Sequence, residues 1–106
     1  VLTHYGEDRV WVKNLIRAKA LKYNIDPELL LRIAYCESGY KEKAKNPKSS
    51  ASGIFQFIDS TFISQAETYG IEWIDKNDPE IQAELAARMI SDGKISAWNE
   101  SKNCWN

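Results

Sequence analysis

The chain has 106 residues, about the length of one domain with one packed core. Its 43% hydrophobic and 27% charged content is ordinary for a globular protein and excludes a disordered or fibrous chain. The formal net charge of −1 argues against nucleic acid as a partner. No apolar run is long enough to cross a bilayer, so we expect no membrane span. We interpret residues 1–106 as a single domain.

The cysteine and histidine content limits metal chemistry. Cys36, Cys104 and His4 are too few soft ligands for a four-ligand zinc site, so we predict no metal and no cofactor. The two cysteines could form one disulfide or remain two buried thiols, and a disulfide would indicate an oxidising compartment. The chain starts at Val1 with neither an initiator Met nor a signal-peptide pattern, which suggests a processed chain or part of a longer protein.

The first half of the chain predicts two helices. Apolar residues at helical spacing predict a helix over residues 7–23, namely Val12, Leu15, Ile16, Ala20 and Tyr23. A second helix is expected over residues 27–38. Asp26 can cap its free amides, Pro27 suits its first position, and Gly39 can adopt the left-handed conformation that ends it.

A long loop separates these helices from the next. Residues 41–53 lack apolar periodicity and carry a lysine cluster, either a solvated loop or a ligand-steering patch, formed by Lys41, Lys43, Lys45 and Lys48. Residues 54–58 are apolar with one polar interruption and fit a buried strand or a helical turn. Asp59 or Ser60 then offers a cap for a helix that ends near Tyr69.

The last third predicts one more long helix. Asp78 and Pro79 repeat the pattern of a cap followed by an N-terminal proline, and this helix should end at Gly93. A short helical turn over residues 95–98 and an irregular tail follow. The sequence shows no hairpin signal and no repeat, so we predict a mainly α fold with little or no β structure.

Glu37 is the strongest candidate for chemistry. It follows Leu29, Leu30 and Ile33 by eight, seven and four residues, so it projects from the same apolar helix face. Burial raises the pKa of a carboxyl group, and so do the free carbonyls of a helix C-terminus. A carboxyl group that stays protonated near neutral pH can serve as a general acid. The alternatives are a structural ion pair or a solvent-exposed side chain beside Gly39.

Other polar and aromatic residues could line a ligand groove. Gln56 stands alone in an apolar run, where its amide either bonds loop backbone or contacts a sugar. The chain also has four tryptophans, most of them expected in the core and some able to stack on a sugar ring: Trp11, Trp73, Trp98 and Trp105. Asn99, next to Trp98, is either a polar contact at this groove or a helix cap.

Four segments together resemble a known family. "YCESGY", "ASGIFQFIDSTF", "DPEIQAELAARMI" and "SAWNESKNCW" are similar to the lytic transglycosylase domain, a relative of goose-type lysozyme, over about residues 26–105. The resemblance implies a lysozyme-like helical domain with a substrate cleft. It also implies cleavage of peptidoglycan between N-acetylmuramic acid and N-acetylglucosamine, with formation of an internal 1,6-anhydro ring. Glu37 would act first as acid and then as base.

The resemblance also assigns further residues. Ser38 matches a serine that orients the glutamate or its substrate, Gln56 matches the glutamine of a second motif, and we expect Phe57 beside it to contact substrate. Ala97-Trp98-Asn99 is similar to an Ala-Tyr-Asn motif with Trp for Tyr, which places one hydrogen bond to the glutamate in doubt. Trp98 and Asn99 would contact substrate. Cys36 and Cys104 resemble a bridged pair in small secreted members.

The sequence favours a lyase over a hydrolase. Hydrolytic glycosidases generally need two carboxylates, and the best second candidate, Asp59, also suits a helix cap. A hydrolytic muramidase and a non-catalytic wall-binding or structural module of the same fold stay open. We expect a monomer that acts on peptidoglycan strands outside the cytoplasm. It would act in the periplasm, in the cell wall or after secretion, alone or as a domain of a larger or phage-associated protein.

Overall fold

The structure, a computed structural model, describes the backbone of residues 4–106 and the side chains from residue 9 onward. The His4 side chain, considered above as a metal ligand, lies outside the described residues. In chain order the elements are α1 (His4–Lys22), α2 (Pro27–Ser38), α3 (Asp59–Thr68), α4 (Pro79–Ser91), a 3₁₀ segment (Ile95–Ser101) and α5 (Lys102–Trp105). The mainly α prediction is confirmed: over this part of the chain, β pairing is limited to isolated bridges.

Both ends of α2 and the start of α4, which carry capping residues in the sequence, lie where they were predicted. The side chain of Asp26 accepts a hydrogen bond from the Glu28 amide at 3.0 Å, which satisfies one free N–H of α2. Gly39 ends this helix in the left-handed conformation, at φ 62°. Asp78 caps α4 in the same way, through the Glu80 amide at 2.9 Å.

Two local predictions are wrong, and each fails because a distant segment intervenes. Neither Asp59 nor Ser60 caps α3; the residue before the helix is Ile58, and the Asp59 amide donates to the Ser50 hydroxyl at 2.8 Å. The tail is helical rather than irregular, because burial of Trp98 and Trp105 ties it to the core. Residues 54–58, which fitted a strand or a helical turn, form a tight turn flanked by an isolated bridge.

The core surrounds α2, which packs against α1 and the C-terminal segments. Its largest fully buried side chains are Phe55, Phe62, Ile16, Leu30, Ile33, Ile54, Leu85 and Gln82. α1 also packs against α4, and the alanines of α4 are fully buried. No helix of the described residues is both long and apolar enough to cross a membrane.

A charged cluster joins α1 to α4 at the edge of this core. Glu84 accepts hydrogen bonds from Tyr23 and from Lys22, and its Oε1 lies 2.8 Å from Lys19 Nζ. Burial by itself would raise the pKa of Glu84, but the hydrogen bonds from Lys19, Tyr23 and Lys22 outweigh it and lower the pKa to about 2. The ionised carboxylate therefore stabilises the folded state.

This cluster predicts a specific pH dependence of stability. The ordinary pKa of Glu84 is 4.5 and the folded pKa is about 2, so its contribution is complete above the first value and is lost as pH falls towards the second. Glu84→Gln should lower the free energy of unfolding at pH 7 and flatten the stability profile in that window. Urea denaturation at several pH values measures both effects. Glu80→Gln, an exposed neighbour 3.7 Å from Lys19, is the matched control and should change little.

Candidate active site

A cleft of about 730 Å³ opens between the C-terminal end of α2, the loop before α3 and the 3₁₀ segment. Its lining comprises Glu37, Asn46, Ser49, Ala51, Gln56, Phe57, Ile58, Thr61, Ser96, Ala97, Trp98, Asn99 and Glu100. The fold therefore brings most of the candidate residues from three distant segments to one surface. Ser38 is the exception, because it does not line the cleft.

Glu37 occupies the last turn of α2, where it is half-buried and faces this cleft. Leu30 and Ile33, on the same helix face, are fully buried, so the apolar face delivers the carboxyl group to the edge of the core. Burial raises the pKa of Glu37, the Ser101 hydrogen bond lowers it, and the nearby charge of Glu100 raises it, with a raised pKa as the net result. Glu37 forms no ion pair among the described side chains.

Ser101 is the direct partner of Glu37, and sequence reasoning missed it. The Ser101 hydroxyl donates to Glu37 Oε2 and accepts a hydrogen bond from Trp105 Nε1 at 3.1 Å. The Trp105 indole also lies 3.2 Å from the Trp98 carbonyl. The buried Trp105 thus orients the Ser101 hydroxyl, which in turn holds the Glu37 carboxyl group. Only the position of Ser101, one 3₁₀ turn after Trp98, could have indicated it, and the tail was predicted to be irregular.

The carboxylates near the site are not the ones the sequence suggested. Asp59 forms an ion pair with Lys76 at 2.8 Å, is mostly exposed and does not line the cleft. Glu100, which the sequence analysis overlooked, does line it and raises the pKa of Glu37 through its charge. The cleft therefore contains two carboxyl groups, one half-buried on α2 and one exposed on the 3₁₀ segment.

Gln56 and Ser38 shape the loop wall of the cleft. The Gln56 amide nitrogen donates to the carbonyls of Ala44 and Gly53, at 3.1 and 2.9 Å, which leaves its amide oxygen as the group able to meet a ligand. The Ser38 hydroxyl donates to the Ile54 carbonyl at 2.7 Å rather than to Glu37. Ser38 thus joins the end of α2 to the turn that carries Gln56.

A buried amide holds this turn against α4. Gln82 is fully buried, accepts from the Phe55 amide at 2.9 Å and donates to the Ser52 carbonyl at 3.0 Å. Gly53 lies directly against it at φ 86°, and a Cβ there would come within 2.1 Å of the Gln82 side chain. Only glycine fits this position, for both conformation and space. The turn that presents Gln56 is therefore held by the buried Gln82 side chain as well as by its own hydrogen bonds.

The comparison with known families agrees with this geometry. The profile described as the Transglycosylase SLT domain matches residues 14–104. The chain belongs to this family. Membership places it among domains of lysozyme-like fold that act on peptidoglycan, which lies outside the cytoplasm. No solved structure matches the chain at a significant level.

The aromatic residues of this SLT domain divide between core and surface. Trp98 is buried, lines the cleft and donates through Nε1 to the Phe55 carbonyl at 3.0 Å. Its indole nitrogen is therefore committed to backbone, and Ser101 supplies the hydroxyl that bonds Glu37. Phe57, buried at the cleft wall, has its ring centroid 5.7 Å from that of Trp98, whereas Trp11 and Trp73 are exposed and do not line the cleft.

The SLT domain contains the disulfide that the sequence left open. Cys36 and Cys104 are bonded across 68 residues, with Cα atoms 6.0 Å apart. Cys36 directly precedes Glu37, and Cys104 lies in α5 beside Trp105. The bond thus joins the helix that carries the carboxyl group to the tail that carries its hydroxyl partner. Among the described residues, no cluster of three or more metal-ligating side chains is found.

Proposed function

We propose that this SLT domain is a lytic transglycosylase that cleaves the β-1,4 bond between N-acetylmuramic acid and N-acetylglucosamine. The observation that carries the proposal is Glu37: a half-buried carboxyl group of raised pKa that opens into a cleft and is held by one hydroxyl. Such a group keeps its proton to higher pH than an ordinary glutamate and can deliver it to a leaving oxygen. Family membership supplies the substrate class.

The proposed reaction has two proton transfers through one residue. Protonated Glu37 gives its proton to the glycosidic oxygen as the bond to the muramoyl C1 breaks. The resulting carboxylate then accepts the proton of the muramoyl C6 hydroxyl, whose oxygen bonds to C1 and closes the 1,6-anhydro ring. Glu37 is protonated again, and water does not enter the products. The cleft walls at Gln56, Phe57, Trp98 and Asn99 would position the sugar rings.

Ser38 and the extent of the domain complete the proposal. Ser38 would act through the turn it holds, by keeping Gln56 in place, rather than by direct contact with Glu37. We regard residues 1–106 as one domain, monomeric, with no cofactor and no metal. It would act in the periplasm, in the cell wall or after secretion, alone or as a domain of a larger or phage-associated protein.

Glu100 favours a second candidate function, hydrolysis. A muramidase needs a second carboxylate as nucleophile or as base for water, and Glu100 lies in the same cleft as Glu37. Glu100 is exposed, whereas Glu37 is half-buried, so the lyase is the better supported of the two. A peptidoglycan-binding module without catalysis is the third outcome to test.

Product analysis distinguishes the three. Purified peptidoglycan is incubated with the protein, and the soluble muropeptides are measured by mass spectrometry. A lyase releases anhydromuropeptides, each one water lighter than the reducing muropeptide that a lysozyme releases. Glu100→Gln should retain the anhydro products if Glu37 acts alone. Reducing products that vanish in Glu100→Gln would instead support the two-carboxylate hydrolase, and binding without any soluble product would leave only the module.

Ser101→Ala tests the network around the acid. A hydrogen bond to a charged group contributes about 1.5–3 kcal/mol, so its loss should lower kcat by about tenfold or more. Because this bond lowers the pKa of Glu37, its removal should also move the high-pH limb of the rate profile upward. Ser101→Thr keeps the hydroxyl and should restore both values. An unchanged pH profile in Ser101→Ala would contradict the role of Ser101, even if the rate fell.

A further inference from the structure

A second surface, distinct from the cleft, carries four positively charged side chains that form no ion pair with any described carboxylate. We define the basic groove as the surface formed by Arg9, Lys13, Arg17, Arg32, Tyr35 and Tyr40. It contains two adjoining depressions, of about 650 and 490 Å³, that share Tyr40. Residues two positions apart on an α-helix point about 200° apart, so Tyr35 and Glu37 lie on opposite sides of α2. The basic groove is therefore independent of the cleft.

The cations of the basic groove form no ion pair with the carboxylates that the structure describes. Among the described side chains, none of them lies within 4.0 Å of a carboxylate oxygen, although Glu28 and Glu42 line the two depressions. Arg17 donates only to the exposed Asn14 side chain, and Arg32 uses Nε for the Trp105 carbonyl at 2.9 Å. The terminal guanidinium nitrogens of Arg32 are left for a ligand. By contrast, the lysines that face α4 are paired with its glutamates.

The spacing of the charges suits a chain rather than a single ion. Arg9, Lys13 and Arg17 follow one another every four residues along α1, which places their Cα atoms on one side of the helix with an axial spacing of about 6 Å. The two depressions extend the same surface on either side of Tyr40. A linear polymer with regularly repeated anionic groups could engage several of these cations at once, whereas a lone anion would engage one or two.

The tyrosines add a surface for the backbone of such a polymer. Tyr35 is 63% exposed, and its ring centroid lies 5.7 Å from that of Tyr40. Lys13 Nζ lies 5.1 Å from the centre of the Tyr40 ring, and the Tyr40 hydroxyl donates to the Leu31 carbonyl at 3.2 Å. Tyr40 also adopts φ 66°, an unfavourable conformation for a bulky residue. Strain of this kind concentrates at functional sites.

We infer that the basic groove binds a linear anionic polymer of the cell wall, with phosphate or carboxylate groups repeated along a polyol or sugar backbone. The chemistry follows from the row of unpaired cations and the flanking exposed ring. The wall as its source follows from membership of a family that acts on peptidoglycan. The domain would hold the wall at the basic groove while its cleft engages glycan. Binding at the basic groove does not require catalysis, so it stands or falls separately from the proposed function.

The test measures binding in the Glu37→Gln protein, so that cleavage plays no part. The probes are fluorescently labelled poly(glycerol phosphate) and polygalacturonate, which distinguish phosphate from carboxylate as the source of charge, with dextran as a neutral control. Titrations are repeated over a range of salt concentrations. We expect one or both anionic probes to bind, with affinity that falls as salt rises, and dextran to show no binding. Equal binding of dextran, or no binding of either polyanion at low salt, would overturn the inference.

Variants locate the binding on the protein. Lys13→Gln with Arg17→Gln removes two positive charges from the basic groove, and Lys48→Gln with Lys102→Gln removes two exposed charges elsewhere. For flexible single strands of nucleic acid, each phosphate contact adds about 0.7 to the slope of log affinity against log salt concentration. With the same value for the wall-type probes, the groove variant should lose about 1.4 from this slope. At 0.1 M salt this corresponds to roughly 25-fold weaker binding. Thermal unfolding checks that both variants are folded.

Two results would contradict this location. Equal losses of affinity in the groove variant and its charge-matched control would show attraction by net charge rather than a site. Tighter binding of a single-stranded oligothymidylate than of either wall-type probe would assign the basic groove to nucleic acid instead.

Discussion

Replacing Glu37 with glutamine should lower the rate of glycan cleavage by about 10²–10⁴-fold, the usual contribution of a positioned general acid and base. The amide has the shape of the carboxyl group and can still accept a hydrogen bond from Ser101, but it has no proton to give and cannot take one back. Folding should persist, because the amide is nearly the size of the half-buried carboxyl group and keeps the contact with Ser101. Release of soluble muropeptides, followed at several enzyme concentrations, measures the loss.

Two matched variants make this result specific. Asp59→Asn changes an acid that pairs with Lys76 outside the cleft, and Glu100→Gln changes an acid within it. For a lyase, both should retain cleavage far above that of Glu37→Gln. The wild-type rate should also decline as pH rises through the raised pKa of Glu37, since the first step needs the protonated form. Full activity of Glu37→Gln would refute the proposed catalytic role.

The position of Glu37 was predictable because local signals determine it. The Asp26 cap, the apolar spacing of α2 and the left-handed Gly39 all lie within one short segment. Together they fix which residue occupies the last turn and which face it shares with the buried side chains. A candidate acid placed by such a segment can therefore be identified before any tertiary contact is known.

The surroundings of Glu37 were not predictable, because they come from segments far along the chain. Ser101 is separated from Glu37 by 64 residues, and it reaches the carboxyl group only because the tail is helical and packed. Glu100 enters the cleft through the same turn of chain. The cap of α3 similarly comes from the hydroxyl of Ser50, in a loop without any periodic pattern. Local sequence propensity does not predict these contacts between distant segments, because they form only in the tertiary fold.

The disulfide explains how so short a tail can hold Ser101, the hydrogen-bond partner of Glu37. α5 has only four residues, too few to be stable alone, and it packs against α2 with the buried Trp105. The Cys36–Cys104 bond anchors this helix at the end of α2, next to Glu37. Trp105 then donates to the Ser101 hydroxyl. Stability and the geometry of the acid are thus linked through one covalent bond.

Removing that bond should therefore affect both properties. A bond that closes a loop of 68 residues stabilises the fold by about 4 kcal/mol on an entropic account, so reduction or Cys36→Ala with Cys104→Ala should lower the urea midpoint markedly. Cleavage, measured at a temperature where the variant is still folded, should also fall and should lose its dependence on Ser101, because the freed tail no longer presents the hydroxyl. The double-alanine variant should not respond to reductant, which separates loss of the disulfide from side effects of the reagent. An unchanged urea midpoint after reduction would show that the bond does not hold the tail. A lower midpoint with unchanged cleavage, still sensitive to Ser101→Ala, would show that α5 keeps Ser101 in place by packing alone.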